Sequence, residues 1–213
     1  MNSDNKGIEK RLDQGVAQLG LALDDQQRDK LLGLVNLLHK WNRAYNLTAV
    51  RDPLTMVSRH LLDSAAVAPF VTGPSVLDVG SGPGLPGLVL AILNPLLNVT
   101  LIDSNGKKVR FQRQAVMELG LTNVTPVQAR VEGQKTLDGQ FDQVISRAFA
   151  SLPDFISLSQ AWLAKDGQWL AMKGPAVDDE LEGLAADVRV VDRHRLIVPF
   201  EEGHRWLVVL EQH

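Results

Sequence analysis

The chain has 213 residues, of which 45% are hydrophobic and 22% are charged, and its formal net charge is −3 at pH 7. This length suits one domain with additional elements and allows a sizeable core. The chain contains no cysteine, which excludes disulfides, thiolate nucleophiles, zinc–thiolate sites and iron–sulfur clusters. The net negative charge argues against a protein that coats itself in nucleic acid, although a local basic face is compatible with it.

No apolar run approaches the ~20 residues that a membrane span needs. The longest, residues 87–93, is interrupted at Asn94 and Pro95, and the polar start of the chain lacks the apolar stretch of a signal peptide. We therefore expect a cytoplasmic protein without a membrane segment or a metal site. We also expect a monomer, because no exposed heptad or long apolar patch demands a dimer.

The first 70 residues are predicted to be helical. An apolar stripe at helical spacing follows the start signal Asp24-Asp25. It consists of Leu31, Leu34, Val35, Leu38, Trp41 and Tyr45. Another helix is expected to start at Pro53, which suits a first helical turn, and to run toward Pro69. We interpret residues 1–70 as a helical extension packed on a core formed by residues 71–213.

From residue 75 onward, strands and helices are predicted to alternate, which implies crossover connections and a parallel sheet. The predicted strands are 75–79, 98–102, 124–127, 141–145 and 168–172, and the predicted helices are 85–93, 107–119 and 152–164. Two further β-rich runs, 188–198 and 206–210, are joined by a link too short for a crossover. They predict an antiparallel hairpin that closes the sheet.

A glycine-rich turn follows the first predicted strand, where residues 76–84 have the sequence VLDVGSGPG. An apolar strand leads through glycines into a helix at the carboxyl edge of the sheet, where open α/β sheets bind ligands. Glycine is needed because a Cβ would block a cofactor lying against the backbone. Residues 82–87 also match the dinucleotide motif GxGxxG. The turn alone therefore leaves open a methyltransferase, a nicotinamide enzyme or a turn that binds no cofactor.

Three features favour an S-adenosylmethionine-dependent methyltransferase. Asp78 precedes the first glycine by two residues, within reach of a ligand's amino group. Pro83 and Pro86 remove backbone N–H donors that a pyrophosphate would use. The reversed last strand resembles the methyltransferase sheet. We predict an α/β fold of the class I methyltransferase type, with a mostly parallel seven-stranded sheet. Asp103, at the end of the second strand, suits a ribose in either class of enzyme.

Several further motifs occur in a characteristic order. They are Trp41-Asn42, Tyr45 to Ala49, His60 to Ser64, Asp78 to Gly87, Leu101 to Lys108, Phe141 to Leu152 with its Ser146-Arg147-Ala148 core, and Met172-Lys173-Gly174. Together they cover most of the chain. In this combination the sequence resembles the glucose-inhibited division protein B family, small-subunit ribosomal RNA methyltransferases that act on guanine N7. The resemblance implies S-adenosylmethionine as cofactor, and 16S ribosomal RNA or the 30S subunit as partner.

The resemblance also implies a cofactor site. Gly80 and Leu85 line the cofactor from the turn, Val131 and Glu132 hold the adenine side, and Arg147 reaches the pocket from the fourth strand. With the residues added from spacing, the predicted cofactor-binding set is Asp78, Gly80, Gly82, Leu85, Asp103, Val131, Glu132 and Arg147. Residues 129–132 depart slightly from the family's commoner form, since a valine precedes the acid. A backbone N–H contact to adenine tolerates that change.

The residue types present restrict the chemistry. Without cysteine, neither methylation of pyrimidine carbon-5 through a thiolate nor radical methylation with a cysteine-bound cluster is available. Residues 146–149 also differ from the Asn/Asp-Pro-Pro-aromatic turn common in amino-group methylation. Guanine N7 has an in-plane lone pair, so no proton has to be removed and the task is in-line placement. We therefore predict no catalytic base.

Candidate RNA-contacting residues are Asn46, His60, Asp63, Arg147 and Lys173. His60 and Asp63, neighbours on one helical face, fit either a structural hydrogen bond or a site. Arg147 fits either orientation of the guanine or an ion pair with Glu132 or Asp142.

Two basic groups fit either solvated faces or surfaces that bind RNA phosphates. They are Lys107, Lys108, Arg110 and Arg113 on one helix, and Arg189, Arg193, His194, Arg195, His204 and Arg205 in the terminal hairpin. Arg51 and Arg59 are further candidates. Two other functions stay open: a nicotinamide-dependent oxidoreductase, and a non-catalytic RNA-binding module in ribosome assembly.

Overall fold

The computed structural model describes residues 3–130 and 137–213, and within them it contains a seven-stranded sheet with the order β3-β2-β1-β4-β5-β7-β6. The strands are β1 Ser75–Val79, β2 Asn98–Asp103, β3 Val124–Gln128, β4 Phe141–Arg147, β5 Leu163–Lys173, β6 Val188–Leu196 and β7 Arg205–Gln212. Strands β1 to β5 are parallel, and β7 runs antiparallel to both β5 and β6. The predicted parallel sheet with an antiparallel terminal hairpin is confirmed.

Four helices accompany the sheet: α5 Gly87–Leu93, α6 Gly106–Glu118, α7 Leu152–Ser159 and α8 Val177–Leu181. Several predicted boundaries were wrong by two residues or more. Helix α5 begins at Gly87, two residues later than expected, because residues 82–86 still belong to the turn, and β5 begins at Leu163 instead of residue 168. Helix α7 ends at Ser159 and a 3₁₀ turn follows, because Leu163 already pairs with Phe141 in the sheet.

The N-terminal segment is helical as expected. It comprises α1 Ser3–Gln18, α2 Asp25–Tyr45, α3 Pro53–Met56, a π-helical turn Val57–Leu62, α4 Asp63–Ala65 and a 3₁₀ turn Ala68–Phe70. The Asp24 carboxylate accepts from Gln27 N while the Gln27 side chain accepts from Asp24 N, which fixes the start of α2. The helix expected from Pro53 toward Pro69 runs without a break to Ala65, with a π-helical turn in its middle, and the 3₁₀ turn Ala68–Phe70 follows separately.

Hydrophobic side chains form one cluster on each face of the sheet. On one face, Leu12 of α1 and Leu34 of α2 share a fully buried cluster with Leu170 and Leu207 of the sheet. On the other face, α7 packs over Trp169, whose Nε1 donates to Ser159 Oγ at 3.0 Å. The extension therefore shares its core with the sheet, and the division at residue 70 stays a prediction. No described helix is long and apolar enough to cross a membrane.

Alanine substitution at two glycines of α1 tests how this helix packs on the rest of the core. A Cβ on Gly15 would lie 2.2 Å from Leu62 Cδ1, whereas a Cβ on Gly7 would lie in ordinary contact, 3.6 Å from Leu54 Cδ2. Alanine raises helix propensity equally at both positions. We expect Gly15→Ala to be less stable than Gly7→Ala by about 1–3 kcal/mol, because Leu62 must shift inside a packed core. Urea unfolding of the two variants measures the difference, and equal stability would contradict the packing of α1 on the π-helical turn.

Candidate active site

The glycine turn after β1 is held by two carboxylates and one amide. Asp78 Oδ2 accepts from Gly87 N at 2.8 Å, and Asp103 Oδ2 accepts from Gly82 N, also at 2.8 Å. Gln112 of α6 donates to the Gly82 carbonyl at 2.7 Å. Gly80 and Gly82 have φ angles of 63° and 57°, a conformation that favours glycine. The turn is thereby fixed from β1, β2 and α6 at the carboxyl edge of the sheet.

A cleft of about 830 Å³ opens beside this turn. We call it the first cleft. It is lined by Gly80, Ile102, Asp103, Ser104, Lys108, Ala129, Arg130, Ala148 and Phe149. Its size lies within the range of small-molecule and cofactor sites. A Cβ on Gly80 would lie 2.2 Å from Phe149 Cδ2, so the phenyl ring covers the glycine where a larger residue would intrude.

The predicted cofactor-binding residues divide into four groups. Gly80 and Asp103 line the first cleft. Gly82 and Leu85 are buried in the turn outside its lining, and Leu85 belongs to the hydrophobic core. Val131 and Glu132 lie outside the described residues. The other two, Asp78 and Arg147, lie outside the lining of the first cleft.

The predicted cofactor-binding set does not include the lining residues Ser104, Lys108, Arg130 and Phe149, of which Lys108 was expected to contact RNA. All four follow the carboxyl ends of β2, β3 or β4, and that position was the signal available.

Asp78 is fully buried beneath the turn and does not line the first cleft. Its Oδ2 holds Gly87 N, while Oδ1 has no hydrogen-bond partner among the described residues. Burial raises the pKa of Asp78 to about 7, despite the opposing bond from Gly87. The carboxylate thus shapes the turn, and its unpartnered oxygen keeps one acceptor for a further group.

A second cleft, of about 340 Å³, adjoins the first, and both are lined by Ala148. It is lined by Val50, Arg59, His60, Asp63, Arg147, Ala148, Met172, Lys173, Gly174, Leu196, Arg205 and Trp206. Four of the five predicted RNA-contacting residues meet here. The fifth, Asn46, does not line the cleft: it ends α2 with a φ of 51°, and its side chain accepts from Arg51 Nη2 at 2.7 Å.

Asp63 is the most buried acid of the second cleft, with 4% of its surface exposed. Its Oδ2 pairs with Arg147 Nη1 at 3.0 Å, and its Oδ1 pairs with Arg205 Nε at 3.2 Å. Arg147 Nη1 also donates to the Arg59 carbonyl at 3.1 Å. The structure therefore places Arg147 in the lining of the second cleft and outside that of the first, and its contact with the cofactor stays a prediction.

The expected partners of Arg147 also differ from those observed. Asp142 accepts hydrogen bonds from Ser75 instead, and Glu132 lies outside the described residues. The ion pair joins Arg147 to Asp63.

His60 lies on the π-helical turn and is buried, with 7% of its surface exposed. Its Nδ1 is 3.1 Å from the Arg59 carbonyl, which only accepts, so Nδ1 carries the proton. Nε2 then accepts from the Thr48 hydroxyl at 2.8 Å. Burial, together with the charge of Arg147, lowers the pKa of His60 to about 4. His60 is thus a neutral structural histidine, and it makes no hydrogen bond to Asp63 among the described contacts.

Lys173 is tied to the protein. Its Nζ donates to the Ala150 carbonyl and to Glu180 Oε2, both at 2.7 Å. Glu180 also accepts from Leu152 N at 2.6 Å, at the start of α7. Lys173 therefore ties the loop after β4 to α8, and two of the three N–H donors of its ammonium group are occupied.

The two basic groups differ in their pairing. In the hairpin, Arg193 lies 4.0 Å from the centroid of the Trp206 ring and pairs with Asp178, while Arg189 pairs with Glu211. On α6, Lys107, Arg110 and Arg113 are exposed, and within the described residues no ion pair involves them. The α6 group is the better candidate for an RNA-facing surface. In the described part of the chain, no cluster of His, Cys, Asp and Glu could hold a metal ion.

This fold is shared with solved methyltransferases. A S-adenosylmethionine-dependent methyltransferase from Aquifex aeolicus superposes with a TM-score of 0.53 at 20% identity, covering 70% of this chain and 89% of that one. A ribosomal protein L11 methylase from Lactobacillus delbrueckii subsp. bulgaricus gives a TM-score of 0.54 at 17% identity, covering 71% and 76%. At these identities the likeness defines the class I methyltransferase fold, as predicted.

Residues 27–208 match the family model GidB, described as rRNA small subunit methyltransferase G. Curated relatives with the name "Ribosomal RNA small subunit methyltransferase G" match nearly end to end. The protein from Chromohalobacter salexigens is 61% identical over 96% of this chain and 97% of its own length. That from Edwardsiella ictaluri is 52% identical over 95% and 98%. The chain therefore belongs to the rRNA small subunit methyltransferase G family, which confirms the family predicted from the motifs.

The buried histidine gives a pH-dependent test of the site. Because the pKa of His60 falls from 6.5 to about 4 on folding, the unfolded chain binds more protons between these pH values. The wild-type protein should therefore lose up to about 3 kcal/mol from this residue as pH falls through that window. Asp78, whose pKa is raised to about 7, changes stability in the opposite direction, so a difference measurement is required.

We expect His60→Asn, which keeps a donor for the Arg59 carbonyl, to remove this part of the pH dependence. The measurement is urea unfolding of both proteins at several pH values from 4 to 7, with the exposed His204→Asn as a matched control. If the free-energy difference between wild type and His60→Asn stays constant with pH, His60 is not held neutral.

Proposed function

We propose that this protein transfers a methyl group from S-adenosylmethionine to N7 of a specific guanine in 16S ribosomal RNA. The observation that carries the proposal is the meeting of two clefts at Ala148, one beside the glycine turn and one lined by Asp63 and its two arginines. The first cleft has the size of a nucleoside cofactor, and the second is smaller. Membership of the rRNA small subunit methyltransferase G family agrees with one cleft for the cofactor and a smaller one for the base.

The first cleft fits S-adenosylmethionine in two respects. Gly80 lines the cleft and has no side chain, so a ligand can lie against the backbone there. The Asp103 carboxylate faces the cleft, and each of its oxygens has an acceptor site left after it binds Gly82 N and Asn105 N, both at 2.8 Å. A ribose with two adjacent hydroxyls suits that carboxylate.

The chain's own residues need only bind and orient. When bound, S-adenosylmethionine supplies an electrophilic methyl group that a lone pair accepts without prior loss of a proton. The neutral His60, with both ring nitrogens engaged, takes no part in proton transfer. Asp63 and Arg147 are positioned to hold the base, so that rate enhancement comes from proximity and orientation. No catalytic base is assigned.

The RNA approaches over the exposed basic side of α6. Lys107 and Lys108 begin that helix at the same edge of the sheet as both clefts, and Lys108 also lines the first cleft. Whether naked rRNA or the assembled subunit is the substrate is decided by the assay below. We also propose that the protein acts as a monomer in the cytoplasm. Of the alternatives, an oxidoreductase would require NADH to bind the first cleft, and an assembly module would bind cofactor without transferring methyl.

The direct test uses tritiated S-adenosylmethionine with naked 16S rRNA, small subunits and whole ribosomes, followed by mapping of the labelled nucleotide. Label on N7 of one guanine supports the proposal. Label on another atom, or calorimetric binding of NADH but not of S-adenosylmethionine, refutes it.

The Gly80 backbone provides a test of the first cleft. Gly80→Ala should lower S-adenosylmethionine affinity by about tenfold or more, because the new methyl group displaces Phe149 into the cleft. Gly20→Ala is the matched control: its φ of 69° imposes the same backbone strain, and nothing lies within 4 Å of the added Cβ. Isothermal titration measures both. If Phe149→Ala fails to restore affinity in the Gly80→Ala background, displacement of the Phe149 ring is not the cause of the lost affinity.

A single-charge variant tests the RNA surface. Lys107→Gln should lower RNA methylation at low salt and reduce the slope of log affinity against log salt by about 0.7 to 0.9, the share of one phosphate contact. Lys165→Gln removes the same charge at the exposed start of β5, at the opposite edge of the sheet, and should change neither quantity. The measurement is kcat/KM at several salt concentrations. If the two variants behave alike, the α6 lysines face solvent and do not bind RNA.

A further inference from the structure

The polar groups of the second cleft are mostly committed to the protein. Lys173 is bound to Ala150 and Glu180, and His60 is bound through both ring nitrogens. The Asp63 side chain is different, although it is only 5% exposed. Each carboxylate oxygen has two acceptor sites, and Arg147 and Arg205 each occupy one. Asp63 therefore has two acceptor sites left, one on each oxygen, in a cleft that it lines.

The two arginines have donors left as well. Arg205 bonds to Asp63 through Nε, and among the described residues neither of its terminal nitrogens has a hydrogen-bond partner. Arg147 uses Nη1 for both of its bonds, to Asp63 and to the Arg59 carbonyl. Both guanidinium groups pair with the buried carboxylate and hold it in place, which compensates for its desolvation. The cleft thus presents two adjacent acceptors with guanidinium donors beside them.

We propose that Asp63 recognises the Watson–Crick edge of the target guanine, accepting from N1–H and from the exocyclic N2 amino group while a guanidinium donates to O6. This inference rests on the proposed function. N7 lies on the opposite side of the purine from N1 and N2, so a base held by that edge turns N7 away from Asp63. The two clefts meet at Ala148, so N7 must face Ala148 to reach the cofactor in the first cleft.

This arrangement selects guanine among the four bases. Guanine alone has two neighbouring N–H donors on its Watson–Crick edge next to a carbonyl acceptor. Adenine presents an unprotonated N1 there, whose lone pair would face the carboxylate. Enzymes that modify a base extrude it from the stack and hold its Watson–Crick edge in a pocket between apolar side chains. Trp206, Met172 and Leu196 supply apolar walls to this cleft.

Inosine provides the sharpest test, because hypoxanthine keeps N7, O6 and N1–H and lacks only the N2 amino group. The substrates are small subunits reconstituted with 16S rRNA that carries either guanosine or inosine at the mapped position. We expect wild-type kcat/KM to be about 10- to 100-fold lower on inosine, the usual effect of losing a hydrogen bond to a charged group. Asp63→Asn should lose a similar factor on guanosine, and its guanosine-to-inosine ratio should approach one.

Glu201→Gln is the matched control. Glu201 accepts from Ser58 Oγ at 2.6 Å and from Arg59 Nε at 3.0 Å, on the π-helical turn that directly precedes Asp63, but it does not line the second cleft. It should keep the wild-type ratio. Circular dichroism shows whether each variant is folded. If Asp63→Asn does not fold, the wild-type guanosine-to-inosine ratio of kcat/KM still tests the proposal.

Three results are informative beyond the expected one. A wild-type ratio near one overturns the assignment of Asp63. A folded Asp63→Asn variant that keeps the wild-type ratio also overturns it, and leaves Asp63 as a structural partner of the two arginines. Failure of the wild-type protein to methylate either substrate refutes the proposed function itself.

Discussion

The functional edge of this protein depends on backbone N–H groups of one turn being held by carboxylates from neighbouring strands. Near the end of β1, Asp78 accepts from Gly87 N, where the turn passes into α5, and Asp103 at the end of β2 accepts from Gly82 N, both at 2.8 Å. Positive φ angles at Gly80 and Gly82 make that path possible, and no β-branched residue would adopt it without strain. The first cleft is the space that this rigid turn leaves open.

The second cleft is assembled differently, since remote parts of the chain contribute to it. Asp63 comes from the helical extension, Arg147 from β4 and Arg205 from β7. Packing of the extension into the same hydrophobic cluster as the sheet fixes Asp63 at the required distance from both arginines. The extension is therefore a wall of the site as well as part of the core. One buried carboxylate joins three segments that no short sequence motif connects.

Local patterns predicted the sheet, the change from parallel strands to an antiparallel hairpin at its end, and the glycine turn. These features depend on periodicity and on glycine at fixed positions. The partners of Asp63 were not predictable in that way, since Asp63 and Arg205 are far apart in sequence and meet only through folding. His60 shows the same limit. Its motif suggested a pair with Asp63, whereas the π-helical turn directs its ring to Thr48. Similarly, hairpin charges that suggested an RNA surface are partly paired within the protein.

The position of β7 has a consequence for how the protein is made. Strand β7 lies between β5 and β6, so its N–H and C=O groups complete the edge of β5 although it is the last strand in the chain. During synthesis, β5 and β6 are both made before the strand that separates them in the sheet. Until residues 205–212 follow, β5 presents an unpaired edge that attracts other extended chains. Arg205 arrives with the same strand, so the second cleft is completed only when the nascent sheet loses its exposed edge.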